Sequence, residues 1–451
     1  MKPYFYKKTR ILAGLFLMAG LVAFGQNFEY NADASAQLFR SSQDNLPFWM
    51  VANTNGAVGS ETNYLFTAGL EGQYMLENGM RISGRGSFFY RDEVQDDFQR
   101  DELYVQFDTK WVSIVAGARR NEERFGGLST VQDNFLLAGN ARAIPGLLLE
   151  APKPQTIFKN FALDWGIGHY NLNDDRFVED ARLHFKRLAA VINLSPRTTL
   201  RAGIQHYAQW AGTSPERGEQ PDGFSDFIDV FLARRASDSA EDTDQANALG
   251  NHLGIYELEL SHRATYGTFF FYHHHPFEDG SGTRLKNLPD GLWGFHFSPN
   301  TDEYTSFFKG IVLEYFQTTD QSGSTGDAGR DNYFRSGVYR SGWTYDGNII
   351  GFPLISMDAT GLEIANNRVR GLHLGISAGR KQWQVMAKVT AWENFGSFRT
   401  PVEPKQQILY SYLAAQYDLK KYGIVLLNLG GDWGDGFRDT YGVSVGYRIK
   451  I

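Results

Sequence analysis

YGVSVGYRIKI, residues 441–451, alternates without a break. Successive side chains of a strand face opposite sides, so Tyr441, Val443, Val445, Tyr447, Ile449 and Ile451 point one way. Gly442, Ser444, Gly446, Arg448 and Lys450 point the other. The segment thus has one apolar wall and one small, wet, charged wall, at the length of a strand that crosses a bilayer. A barrel in lipid uses both walls, the first against acyl chains and the second on the lumen.

The opposite end carries a compartment label. Lys2, Lys7, Lys8 and Arg10 precede an apolar run over 11–24, and Ala23, Phe24 and Gly25 form a small-x-small cleavage site before Gln26. A membrane-anchoring helix needs about 20 apolar residues, so 1–25 reads as a secretory signal peptide and 26–451 as the mature barrel. A mean hydropathy of -0.37 excludes a helical membrane protein. It suits a barrel, because half of each strand is polar. Aromatics at 15% and 48 glycines against 14 prolines fit strands bounded by tight turns and interfacial girdles. With no cysteine there is neither a disulfide nor a lipid-modified cysteine anchor. The net charge of -7 argues against a nucleic-acid partner.

Strand-like segments recur along the chain, and no amphipathic helix of convincing length separates them. Residues 409–419 alternate, turn at Lys420, Lys421, Tyr422 and Gly423, and resume at 424–429; the glycine- and aspartate-rich stretch 430–440 follows. Short turns inside and long loops outside are the rule for such barrels. Further hairpins are expected at 64–74 with 80–90, and at 103–107 with 111–116. The fold class is therefore all-β, a transmembrane antiparallel up-and-down β-barrel of about 18 strands, wide enough for chain segments inside. Long irregular stretches at 119–143, 210–225, 236–250, 275–290 and 318–346 are of a length that is usually functional or folded inward.

Several motifs suggest enzymes. GISAG at 375–379 and GVSVG at 442–446 match G-x-S-x-G, but that motif requires a strand-to-helix elbow, and Ser377 and Ser444 sit inside alternating strands. His273 and His275 share a strand face and, with Glu278 or Asp279, have metal-ligand chemistry. The competing reading, a hydrogen-bonded lumen wall, is preferred, and no metal is expected. The acidic stretches 92–101 and 241–244 lack the spacing and central glycine of a calcium loop. No P-loop or dinucleotide fingerprint occurs, so no cofactor is expected.

The long loops carry aromatic residues: Trp210, Trp293, Tyr333, Tyr339, Trp343 and Tyr345. Aromatic faces stack on apolar faces of sugars, while carboxylates and guanidinium groups bind hydroxyls in bidentate fashion.

At these loops the chain resembles the capsule-assembly Wzi family of outer-membrane barrels. The likeness rests on ordered segments: LPFWMVAN at 46–53, LLAGNARAIP at 136–145, GIQHYAQWAGTSPERG at 203–218 and ALGNHLGIYELEL at 248–260. It continues with FEDGSG at 277–282, DGLWG at 290–294 and DNYFRSGVYRSGWTYDGNIIGFPL at 331–354. The resemblance implies a barrel of similar strand number, no catalysis, and a role in holding extracellular polysaccharide at the cell surface. Family members can carry a periplasmic helical bundle, whereas 26–39 here reads as a strand. The expected partners are capsular polysaccharide or exopolysaccharide, outer-membrane lipid and lipopolysaccharide, and the barrel-assembly machinery that reads the closing strand. The candidate sugar contacts are Trp210, Trp343 and Tyr339 as platforms, with Glu278, Asp279 and Arg340 as polar partners. A porin of the same architecture is the alternative.

Overall fold

The computed structural model describes residues 28–450 apart from 95, 133, 235–247, 279–281, 301–306 and 322–332. The signal-peptide segment 1–25, the acidic stretch 241–244 and Asp279 lie outside the described residues.

Eighteen antiparallel strands form one sheet. In chain order they are β1 (Phe28–Ser41), β2 (Tyr64–Met75), β3 (Arg81–Arg91), β4 (Phe98–Asp108), β5 (Ser113–Ala118), β6 (Gly146–Glu150, resumed at Gln155–Phe158), β7 (Phe161–Asn171), β8 (Arg182–Ser195) and β9 (Thr198–Trp210). They continue as β10 (Asn251–Arg263), β11 (Gly267–Phe277), β12 (Gly291–Pro299), β13 (Phe308–Gln317), β14 (Val369–Arg380), β15 (Trp383–Gly396), β16 (Pro401–Asp418), β17 (Ile424–Gly434) and β18 (Thr440–Lys450). Each pairs with the next, and β18 returns to β1 in register from Asp33 with Lys450 to Ser41 with Gly442. Closure leaves no edge whose amides would face hydrocarbon unpaired. Among the described residues no helix is long and apolar enough to cross a membrane, so the strands make the crossing.

The alternation read from 441–451 holds. Val443, Val445 and Tyr447 are exposed on the outer face, while Arg448 and Lys450 line the lumen. Ser444 is buried and accepts a hydrogen bond from Asn428 Nδ2 at 2.8 Å. Both Ser377 and Ser444 lie in strand interiors, which removes the elbow that a hydrolase would need. Short turns gather at one end beneath an exposed belt of Tyr30, Trp111, Phe158, Tyr266, Trp383 and Tyr422. Long loops gather at the other, the extracellular end by the short-inside rule.

The inner wall from β1 to β10 is laced with charge. Arg85 meets Asp33 at 2.8 Å and Glu102 at 3.2 Å, Arg119 meets Glu150 at 2.6 Å, and Arg201 meets Asp164 at 2.9 Å. Polar wall of this kind needs water or chain against it. In the extracellular half it receives chain: the described residues of 119–145 and 333–368 fold inward and share one buried cluster with the wall, while Leu46, Met50, Ala57 and Val58 form a second with Phe39, Leu65 and Phe89. In the first, Leu136, Phe135, Phe334, Trp343 and Phe352 come from the loops, and Leu183, Tyr207, Ile255, Leu292, Phe316 and Trp392 from the strands. The LPFWMVAN segment forms a single turn, α1 (Phe48–Val51). Trp49 Nε1 donates to Thr390 Oγ1 at 2.9 Å, and Phe48 stacks on Tyr410 at 4.5 Å. Below the loops a cavity of about 1570 Å³ reaches the short turns at Lys381 and Lys420.

Two expectations are corrected. The hairpin expected at 103–107 with 111–116 runs over Phe98–Asp108 and Ser113–Ala118, and Trp111 joins the turn. A helix, α2 (Phe224–Leu232), lies in the long loop between β9 and β10, where no helix is expected from the sequence. Its nine residues are too few for a propensity signal to stand out, and tertiary contacts hold it instead.

One carboxylate fastens the inward loop 119–145. Glu314, fully buried on β13, accepts from Ser129 Oγ (2.6 Å), Thr130 N (2.8 Å), Thr130 Oγ1 (2.7 Å) and Tyr272 Oη (2.7 Å). On the other side of the loop His373 bonds the Leu128 carbonyl at 2.7 Å. Glu314→Ala strands these donors in a dry site, a loss of about 3 kcal/mol. The expected outcome is a lower unfolding temperature in detergent and new protease cleavage within 119–145, read by mass spectrometry of the fragments.

Candidate functional site

The plug is built around a hairpin. Thr344 pairs with Ile349 and Tyr345 with Asn348 across Asp346 and Gly347, at φ 49° and 72°. An Asp-Gly pair with two positive φ angles is the tight turn that suits the twist of a two-stranded hairpin. Around it stand three arginines. Arg142 pairs with Asp346, Arg176 Nη1 donates to Thr344 O at 3.2 Å, and Arg100 Nη2 donates to Tyr345 Oη at 3.3 Å. Asp174 caps the turn by accepting from Asp346 N at 3.0 Å. Burial raises the Asp346 carboxyl, and the Arg142 charge opposes that rise.

The candidate residues separate into two groups. Trp343 is fully buried, donates from Nε1 to Leu136 O at 2.6 Å, and meets Tyr207 edge-on at 5.4 Å. Glu278 accepts from Phe334 N at 2.7 Å. Both hold the plug together. Trp343, Trp210 and Tyr339, the expected stacking platforms, are each buried under packed neighbours. Trp210 and Tyr339 do meet, together with Gln220 and Ser336, around a cleft of about 10 Å³. That volume suits roughly one water molecule and not a pyranose ring. Tyr339 Oη is already bonded to Ala211 O at 3.2 Å.

Arg340 behaves differently. It lies over the Phe177 ring at 4.9 Å and bridges Glu216 at 2.8 Å and Glu363 at 3.7 Å, both carboxylates being partly open to solvent. Arg335 joins the same group by pairing with Glu363 at 2.6 Å. Two guanidinium groups, two carboxylates and an aromatic edge therefore share one extracellular patch. Glu216, Glu363, Phe177 and Arg335 were not singled out from the sequence. In the sequence Glu216 stands only within the family-like segment 203–218, and its contact with 340 spans 124 residues.

The histidine run does not form the expected lumen wall as a unit. Tyr272 and His274 face inward, so His273 and His275 face outward with exposed Phe271. His273 stacks on Trp293 at 3.5 Å, with its Nδ1 3.0 Å from Leu292 O, and His275 Nδ1 lies 3.1 Å from Asp290 O. Among the described residues no group of three His, Asp, Glu or Cys side chains has metal-holding geometry. Asp92, from the other acidic stretch, accepts from Asn63 N and Tyr64 N at 2.8 and 3.0 Å, a loop clasp.

These features define a class: an 18-stranded barrel of the outer membrane of a Gram-negative bacterium, its extracellular half occupied by its own loops. The chain belongs to the capsule assembly protein Wzi family, whose model matches residues 31–365. Among solved structures it is similar to Wzi of Escherichia coli, described as a carbohydrate-binding β-barrel involved in group 1 capsule assembly. That similarity has a TM-score of 0.58 at 12% identity, over 99% of this chain and 89% of that one. It is also similar to OccK3 (OpdO) of Pseudomonas aeruginosa, with a TM-score of 0.52 at 12% identity over 96% and 98% of the two chains. At such identity these likenesses speak for the fold. No curated protein matches the chain by sequence.

Asp290 offers a test of the plug. Its carboxylate accepts from Asp320 N at 2.9 Å and from Tyr333 Oη at 3.2 Å, and burial pushes its pKa up to about 7. A carboxyl raised in the folded state holds its proton there while the unfolded chain has already lost it. Stability therefore falls as pH rises from about 4 to about 7, and levels off above that. Asp290→Asn should flatten this slope and raise the unfolding temperature at pH 8 relative to the parent, in detergent melts at stepped pH. Trp343→Ala, which empties a packed site, should cost about 4 kcal/mol in denaturant titrations.

Proposed function

We propose that this protein is a non-enzymatic barrel that binds capsular or exported polysaccharide and anchors it at the cell surface. The observation that carries the reading is the inward-folded loop set: a lumen whose extracellular half is packed with buried side chains suits retention better than passage. Membership of a capsule-assembly family supports the same reading, as does the carbohydrate binding described for the Escherichia coli protein. The barrel-assembly machinery would insert it through the closing strand, and lipid with lipopolysaccharide would surround it.

Within this reading the contact surface is the Arg340 patch, in place of the covered aromatic rings. Guanidinium groups beside carboxylates offer donors and acceptors in fixed pairs, which suits hydroxyl and uronate groups of a sugar chain. Arg340→Ala should weaken binding of the cell's own purified polysaccharide about tenfold, the order of one charge-assisted hydrogen bond. Deleting the protein should shift polysaccharide from the cell pellet to the medium. Polysaccharide that stays cell-bound after deletion would reject anchoring. The porin alternative makes the opposite prediction in planar bilayers, where the purified barrel would show steady open-channel conductance.

A further inference from the structure

On most of the wall the extracellular rim shows the exposed aromatics expected of an interfacial girdle: Phe66, Tyr90, Phe98, Trp293 and Tyr441. The sector from β7 to β10 does not. Leu183, Tyr207 and Leu253 of these strands face the plug, so their sequence neighbours face outward. Those outward neighbours at the rim are His169, His184, His206 and His252, with Lys186 just below. Imidazoles and an amine set above the lipid-facing Ile167, Leu188, Ile204 and Leu258 make a polar gap in the apolar coat.

α2 lies across that gap, on the outside of the barrel. Phe227 meets the His184 and His169 rings at 5.2 and 5.8 Å and the Trp210 indole at 5.6 Å, and Phe231 meets His184 at 5.3 Å. Val230 is fully buried. The Lys186 amine donates to the Phe231 carbonyl, so the end of the helix sits two residues along β8 from exposed Leu188. Beneath it, His206 and His252 bond each other at 3.0 Å.

At 100° per residue the helix has three sides. Phe227, Val230 and Phe231 face the wall, and Asp226 and Asp229 lie on the polar side. Phe224, Ile228 and Leu232, at i, i+4 and i+8, form an adjoining stripe whose residues are 80%, 37% and 46% exposed. Water would favour polar residues on that stripe. A helix with one face on protein, one polar and one apolar has the geometry of an element lying in a membrane interface.

We propose that α2 is an in-plane interfacial helix whose Phe224–Ile228–Leu232 stripe contacts the acyl chains of the outer leaflet and stands in for the girdle missing from β7 to β10. The occupant follows from continuity: the stripe adjoins the apolar belt at Leu188 and extends it upward over the histidines. The inference is independent of what the extracellular patch binds.

The chain has no native cysteine, so single-cysteine labelling needs no background changes. Phe224→Cys, Ile228→Cys and Leu232→Cys, with Asp229→Cys as the polar-side comparator, are spin-labelled in the full-length mature protein. Each is reconstituted into phosphatidylcholine–phosphatidylglycerol vesicles, and collision with oxygen is compared with collision with a water-soluble nickel chelate. The expected result is an oxygen-to-nickel ratio at 224, 228 and 232 about threefold or more above that at 229, the pattern of an interfacial helix. Equal ratios at all four positions would place the stripe in water and overturn the proposal. Dipolar broadening between labels on separate copies would assign the stripe to a second copy of the chain, and would overturn it equally. Three independent stripe positions keep the test decisive if one variant fails to insert.

Discussion

Everything in this molecule depends on backbone hydrogen bonds that lipid cannot supply. A strand in hydrocarbon must pair on both edges, so the first and last strands of the barrel are obliged to find each other. The nine registered positions between β1 and β18 meet that demand. They also dictate the facing of each residue, since a slip of one would turn Arg448 and Lys450 into lipid. Closure at this circumference creates a lumen that side chains from the wall cannot fill. The extracellular half is filled instead by the chain's own loops.

Filling a polar lumen with chain requires both apolar packing and polar anchorage. The packing comes from Phe135, Phe334, Trp343 and Phe352 against wall residues such as Phe316 and Trp392. The anchorage comes from groups such as Glu314, whose carboxylate is ringed by hydroxyl and amide donors from the loop it holds. The large aromatic residues of the loops are thereby used up in cohesion. The residues left to solvent there are those whose charge water can solvate, such as Arg340, Glu216 and Glu363.

The outer wall shows the same economy in a second place. One sector lacks exposed rim aromatics and carries histidines, and a short helix from the loop between β9 and β10 lies over them. Loop and wall are complementary there in the way that plug and lumen are complementary inside.

The alternation of Tyr441 to Ile451 was readable alone because strand periodicity is local: each residue's side depends on its neighbours and not on distant chain. The barrel class, the hairpins and the inward-pointing Arg448 followed from that, and ordered segments such as LPFWMVAN were enough to indicate the family. Hairpin ends moved by a few residues because Trp111 can sit in a turn as readily as in a strand. Which aromatic ring is open and which is covered was beyond any local rule. Trp343 is buried because Leu136, some 200 residues earlier, accepts its N–H, and Arg340 is a patch residue because Glu216 and Glu363 arrive beside it. The outward turn of His273 and His275 and the seating of α2 were likewise settled by neighbours from other strands. Local chemistry determined the membrane, the strands and their two faces; only the folding of the loops decided which residues are covered and which stay exposed, because burial is a property of the assembled chain.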